Sequence, residues 1–121
     1  MTTIWRKSAS IIPAYGHMVC GGFEVEIGVW PVALDHRILN HRIGVVWTAD
    51  GWHNVQWSDA EWIGTTRNNY GDYDEVWKAK IDYNSNTPLS FWYALYVIDT
   101  YGNWYWDNNN GWNYITQGPN W

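Results

Sequence analysis

Gly22-Phe23-Glu24-Val25-Glu26-Ile27-Gly28-Val29 alternates apolar and polar side chains without a break. Successive side chains of a β-strand point to opposite faces, so Phe23, Val25, Ile27 and Val29 fall on one face and Glu24, Glu26 and Gly28 on the other. This is the signature of a strand with one face in a core and one in water. Residues 41–48 continue the theme, with Ile43, Val45 and Trp47 on one face, and residues 73–81 set Trp77, Ala79 and Ile81 against Val76, Lys78 and Lys80. In residues 89–98 both faces are apolar: Phe91, Tyr93, Leu95 and Val97 oppose Trp92, Ala94, Tyr96 and Ile98, which marks a strand buried on most of both sides. Shorter strand signals occupy residues 104–106 and 112–116. Between these runs lie Asp50-Gly51, Tyr70-Gly71-Asp72, residues 84–88, Tyr101-Gly102-Asn103 and residues 108–111, all rich in residues that tolerate tight or left-handed backbone. No long stretch carries helical periodicity, although residues 31–40 have room for one short helical turn. Several short strands punctuated in this way predict an all-β sandwich.

The chain of 121 residues is expected to form a single domain over residues 1–121, with no internal repeat, linker or low-complexity tail. Twelve Trp and nine Tyr stand against only two Phe. A purely structural aromatic core would draw more on Phe and aliphatics; Trp and Tyr join an apolar body to a polar handle and suit half-wet surfaces, so several rings should be exposed. The net charge is −5, and the seven Lys and Arg form no cluster. That excludes nucleic acid, an anionic membrane surface and acidic polysaccharides as partners and favours a neutral ligand. Cys20 is the single cysteine, which excludes an internal disulfide and a cysteine-based metal site; it reads as a small buried residue near the first strand. Residues 1–13 lack the apolar core of a signal peptide, and no apolar run reaches membrane-spanning length. Localisation is open, the expectation being cytoplasmic if the chain is complete and not a module cut from a larger protein.

Trp106-Asp107-Asn108-Asn109-Asn110-Gly111-Trp112-Asn113-Tyr114 sets indoles beside a run of short amides. Indole faces stack on the C–H faces of sugar rings, and amides both donate to and accept from paired hydroxyls. Read locally, residues 107–111 are a hairpin loop, but a turn needs only one of these Asn residues; the surplus amides and rings point to a ligand. Asp50-Gly51-Trp52-His53-Asn54 is a second such place, a hairpin tip from which Trp52 either projects as a stacking platform or folds back as a lid on the sandwich end. Trp92 and Trp106 belong to the alternation face opposite Phe91 and Tyr105, on strands joined by the turn at residues 99–103, which favours a shared platform. The candidate carbohydrate-binding set is therefore Trp52, Trp92, Trp106, Asp107, Asn108, Asn109, Asn110, Trp112 and Asn113.

Three segments resemble the starch- and glycogen-binding modules of carbohydrate-binding module family 21: Val45-Val46-Trp47-Thr48-Ala49-Asp50-Gly51-Trp52, then Phe91-Trp92-Tyr93-Ala94-Leu95-Tyr96-Val97, then Tyr105-Trp106-Asp107-Asn108-Asn109-Asn110-Gly111-Trp112-Asn113-Tyr114. The resemblance spans roughly residues 22–116. It implies an immunoglobulin-like antiparallel β-sandwich and a principal sugar site with aromatics at Trp52, Trp92 and Trp106 and polar contacts from Asn108, Asn109 and Asn110. The chain departs from the family where a Lys and a Tyr usually help form a second sugar site; His41 and Arg42 occupy the Lys region and Leu39 stands near the place of the Tyr. Asn68, Asn69, Tyr70 and Tyr73 offer a replacement. Residues 30–40 do not match, and Trp30, Trp57, Trp62 and Trp104 have no counterpart, which leaves open a different glucan preference or a self-association surface.

Catalytic chemistry finds no support. Asp50, Asp59, Glu61, Asp72, Asp74 and Glu75 read as solvated carboxylates with no pairing specific to glycoside hydrolysis. His17, His36, His41 and His53 lack metal-ligand spacing, no Ser sits in a nucleophile elbow, and Gly21-Gly22 opens no phosphate-binding helix. No cofactor and no metal are expected. The leading expectation is non-catalytic binding of α-1,4-glucan (starch, glycogen or maltooligosaccharide). The alternatives are a free-standing lectin for β-glucan or glycoprotein sugars, and a glycogen-targeting or scaffold subunit. The partner would be a neutral polysaccharide or oligosaccharide, with homo-oligomerisation or fusion to a glycan-active enzyme possible in either case.

Overall fold

The computed structural model describes residues 4–14, 16–30, 42–99 and 101–118. Among them run nine strands and no helix: β1 (Ile4–Ile11), β2 (Cys20–Val29), β3 (Arg42–Thr48), β4 (Gln56–Asp59), β5 (Glu61–Arg67), β6 (Tyr73–Ser85), β7 (Phe91–Ile98), β8 (Trp104–Asp107) and β9 (Tyr114–Thr116). The short helical turn expected in residues 31–40 lies outside the described residues. One sheet has the order β1-β2-β6-β5; the other has the order β4-β3-β7-β8, with β9 also paired to β7. All pairings are antiparallel. The expected immunoglobulin-like sandwich is the fold that forms.

Its core follows from the alternation. Phe23, Val25, Ile27 and Val29 are fully buried, as are Phe91, Tyr93, Leu95 and Val97 from the facing sheet. Removing each of these side chains from water contributes about 1.5–3 kcal/mol, offset by the entropy of ordering it. Phe23 stacks on Phe91 at 4.6 Å between ring centroids and meets Trp47 edge-on at 5.8 Å. Trp47 keeps its polar handle satisfied by donating from Nε1 to Ser58 Oγ at 2.9 Å. Cys20 is buried at the start of β2.

Three strands were not legible as strands. β1 reads Ile-Trp-Arg-Lys-Ser-Ala-Ser-Ile, and its alternation is broken by a bulge between Arg6 and Ser8. Ile4 and Arg6 face inward before the bulge, Ala9 and Ile11 after it, so no single period-2 pattern covers the segment. β4 and β5 are edge strands whose side chains are mostly exposed, so burial leaves little imprint on them.

A further correction concerns residues 108–113. They are not a hairpin tip. Leu95 pairs with Asp107 and Tyr93 pairs with Tyr114, so β8 and β9 lie along the same edge of β7. The residues between them are an excursion opposite Ala94 alone, after which the chain resumes pairing in the same direction.

Candidate functional site

The outer face of the β4-β3-β7-β8 sheet is organised in cross-strand rows. Thr48, Trp92 and Ile115 form one; Trp57, Val46 and Ala94 form the next, which ends at the 108–113 excursion; Asp59, Gly44, Tyr96 and Trp106 form the third. Trp92 and Trp106 thus share the outer face, as their alternation predicts. They are not neighbours in register, however: Trp106 lies opposite Tyr96, four residues beyond Trp92, or about 13 Å along the strand at the usual rise. The two indoles stand at opposite ends of the face, with Val46 and Ala94 low between them and the Asn-rich excursion at the edge.

Around Trp106 the rings pack on one another. Trp104 and Trp106 stack at 5.5 Å and 14°, and Trp57 meets them edge-on at 6.0 and 6.1 Å. All three touch the ring of Tyr96, which is 1% exposed although it points away from the core. Tyr96 lies flat over Gly44, where a Cβ would come within 2.6 Å of its hydroxyl, and the hydroxyl donates to Asp59 Oδ1 at 3.0 Å. Arg42 completes the arrangement with a bond to the same carboxylate at 3.0 Å. Burial, reinforced by the Asp59 acceptor, pushes the Tyr96 phenol up to about 12. Trp57, Trp104 and Trp106 therefore all cover Tyr96, and each keeps about half of its own surface open.

Trp52 and Trp92 mark the other end. Thr48 Oγ1 accepts from the backbone N–H groups of Asp50 and Trp52 and donates to Asp50 Oδ1 at 2.7 Å. Asp50 accepts from both the backbone and the side-chain amide of Asn54. These bonds, led by those from Asn54, hold the Asp50 carboxyl down at about 2, so it is charged at any ordinary pH. Gly51 and Trp52 both have positive φ, 68° and 71°. A bulky residue in that region is strained by about 1–3 kcal/mol, and the Thr48–Asp50 network holds it there. Trp52 is half-buried, between the two expected extremes of platform and lid, and Trp92 ring atoms lie close by, within 3.9 Å of where a Gly51 Cβ would be.

The Asn run is built by its own side chains. Asp107 Oδ1 accepts from Asn109 N, and Asp107 Oδ2 accepts from the Tyr114 hydroxyl at 2.6 Å; burial and this acceptor raise the Tyr114 phenol above its ordinary range. Asn108 Oδ1 accepts from Gly111 N, and Asn109 Nδ2 donates to the Asn113 carbonyl. Asn109, Asn110 and Asn113 take left-handed backbone at φ 56°, 57° and 59°, which Asn tolerates better than most residues. So Asp107, Asn108, Asn109 and Asn113 shape the loop, while among the described residues the Asn110 side chain makes no hydrogen bond. Trp112, 81% exposed, projects from it.

Trp106, Asn108, Asn109 and Asn110 also line a depression of about 430 Å³ together with Ile4 and Trp5 of β1. Trp5 is the residue that sequence reasoning missed. Only the closing of β1 against the β8–β9 edge brings it there, and no local pattern announces that approach. Among the described residues, no group of three His, Cys, Asp or Glu is placed to hold a metal ion.

No family model matches the sequence, and no curated protein matches it at a significant level. Among solved structures, the fold is similar to the carbohydrate-binding module of the muscle glycogen-targeting subunit of protein phosphatase-1, seen in solution. The TM-score is 0.63 at 15% sequence identity, over 97% of this chain and 78% of that one. The family resemblance read from the Trp52, Trp92 and Trp106 segments is thus matched by a fold of the same kind.

Proposed function

We propose that this protein is a non-catalytic carbohydrate-binding module that takes α-1,4-glucan on the outer face of the β4-β3-β7-β8 sheet. The observation that carries the reading is the pair of open indoles, Trp92 and Trp106, at the two ends of one face whose edge is lined by Asn108, Asn109 and Asn110. A curved glucan chain would stack glucose rings on Trp106 and Trp92, with Trp52 at the hairpin end, and share hydroxyls with the loop amides. The fold's likeness to a module from a glycogen-targeting subunit supports the substrate class. Two or three sugar–indole stacks, less the cost of association, correspond to a Kd of about 10–100 μM for a short oligosaccharide.

The test is calorimetric titration with β-cyclodextrin and maltoheptaose, with laminarin and chitin oligomers in parallel. Trp106→Ala should weaken α-glucan binding at least about tenfold, the loss of one of its aromatic stacks, while the circular dichroism spectrum stays native. Undiminished binding by the variant would place the site elsewhere. Binding of the wild type to laminarin or chitin alone would keep the face and replace the substrate.

A further inference from the structure

The depression beside Trp106 does not end at Trp5. The same indole lines a second depression of about 560 Å³, on the outside of the β1-β2-β6-β5 sheet, with Thr66, Asn68, Asn69, Tyr70 and Asp74. Trp5 lies flat on the sheet: a Cβ at Gly28, its cross-strand partner, would come within 2.3 Å of the indole. The row continues through Val76 to Gly64, so two of its four positions carry no side chain and the surface beside the ring stays low. A flat indole over glycine presents one open face, the geometry on which a sugar ring stacks.

The far wall is a preorganised turn. Asn68 Oδ1 accepts from Tyr70 N and Asp72 N, and its Nδ2 donates to Asp74 Oδ1 at 3.1 Å. Asn68 is thereby spent on structure, and the turn carries Asn69 and Tyr70 outward. Tyr70 is 75% exposed, and the Asn69 amide makes no hydrogen bond among the described residues. Tyr73, on the other alternation face of β6, does not line the depression.

We infer that the glycan surface continues from Trp106 across Trp5 to Tyr70, so that one long glucan chain occupies both depressions and Trp5 is the platform they share. This inference rests on the proposed binding at Trp106. Asn69 and the second oxygen of Asp74 would take hydroxyl pairs, and Tyr70 would stack on a sugar beyond the reach of a short ligand.

A length series separates the two claims: maltotriose, maltoheptaose and a longer maltodextrin titrated into wild type, Tyr70→Ala and Trp106→Ala. The expected pattern is that Tyr70→Ala binds maltotriose like wild type but loses about fivefold in affinity for the longest chain, the worth of one aromatic stack. Trp106→Ala should weaken every length. Wild-type length dependence in Tyr70→Ala, with Trp106→Ala still defective, overturns the continuous surface and leaves the Trp106 site standing. A wild type that binds no α-glucan overturns both. Tyr70 is too exposed for folding to confuse the result, and an unchanged thermal melt checks that.

Discussion

The two outer faces of the sandwich are made of the same backbone and obey opposite rules. On the β1-β2-β6-β5 sheet, Glu24 and Glu26 of β2 stand opposite Lys80 and Lys78 of β6, and Lys78 stands opposite Glu61 of β5. Lys78 Nζ comes within 3.6 Å of Glu24 Oε2, with both side chains partly in water. These charged rows make an ordinary solvated face, with Ile63 exposed beside them and Val76 buried in the row where Trp5 lies over Gly28. On the other sheet the outward residues Val46, Ala94 and Tyr96 are buried, and β3 and β7 are nearly enclosed on both sides. Three tryptophans close over Tyr96, which turns a solvent face into a small second core. The aromatic surplus of the sequence thus seals one face, and the side of each ring not used for sealing stays open to water.

The sharpest way to break the comparison is Tyr96→Ala. A ring this enclosed should cost about 3–5 kcal/mol in chemical denaturation, as for an inward-facing aromatic; a cost near zero would mean that the outer face is solvated after all. High pH probes the same ring more gently. Tyr96 has its phenol raised to about 12, so the stability gained by keeping it neutral is fully present below about pH 10 and is lost as pH rises through 12. Thermal melts of wild type should fall over that interval, and Tyr96→Phe should fall less steeply. At the small end, Glu24→Gln on the charged face should change stability by less than about 1 kcal/mol, because an exposed pair is screened and entropically costly. A larger loss would show that this face, too, contributes packing.

Much of this organisation was legible beforehand. The alternation of residues 22–29 and 73–81 separates two faces that the structure keeps, and residues 91–98 are buried on most of both sides as their apolar run predicts. The exposure of Trp92, Trp106 and Trp112 follows from a Trp count that one small core could not absorb. The turns have a readable signal as well: Asp50 with Asn54 and Asp99 with Asn103 use the same spacing, the carboxylate accepting both the backbone and the amide of the Asn four residues on. Burial alone would raise the Asp99 carboxyl, but donors from Asn103, Tyr101 and Tyr105 outweigh it and hold it below its usual range.

What the sequence by itself determined is the set of strands with a strict period, the residues each hides, and the chemistry of a surface rich in indoles and amides. The tertiary structure alone decided which of those groups meet. Register, a long-range property, placed Trp106 beside Tyr96 instead of Trp92 and made residues 108–113 an edge excursion instead of a hairpin. The closing of the two sheets brought Trp5, a residue of a bulged and unreadable strand, against the Asn run from the far end of the chain. Local alternation is written into each strand by its own contact with water, whereas the partner across a sheet is fixed only when all the strands bury their apolar faces together.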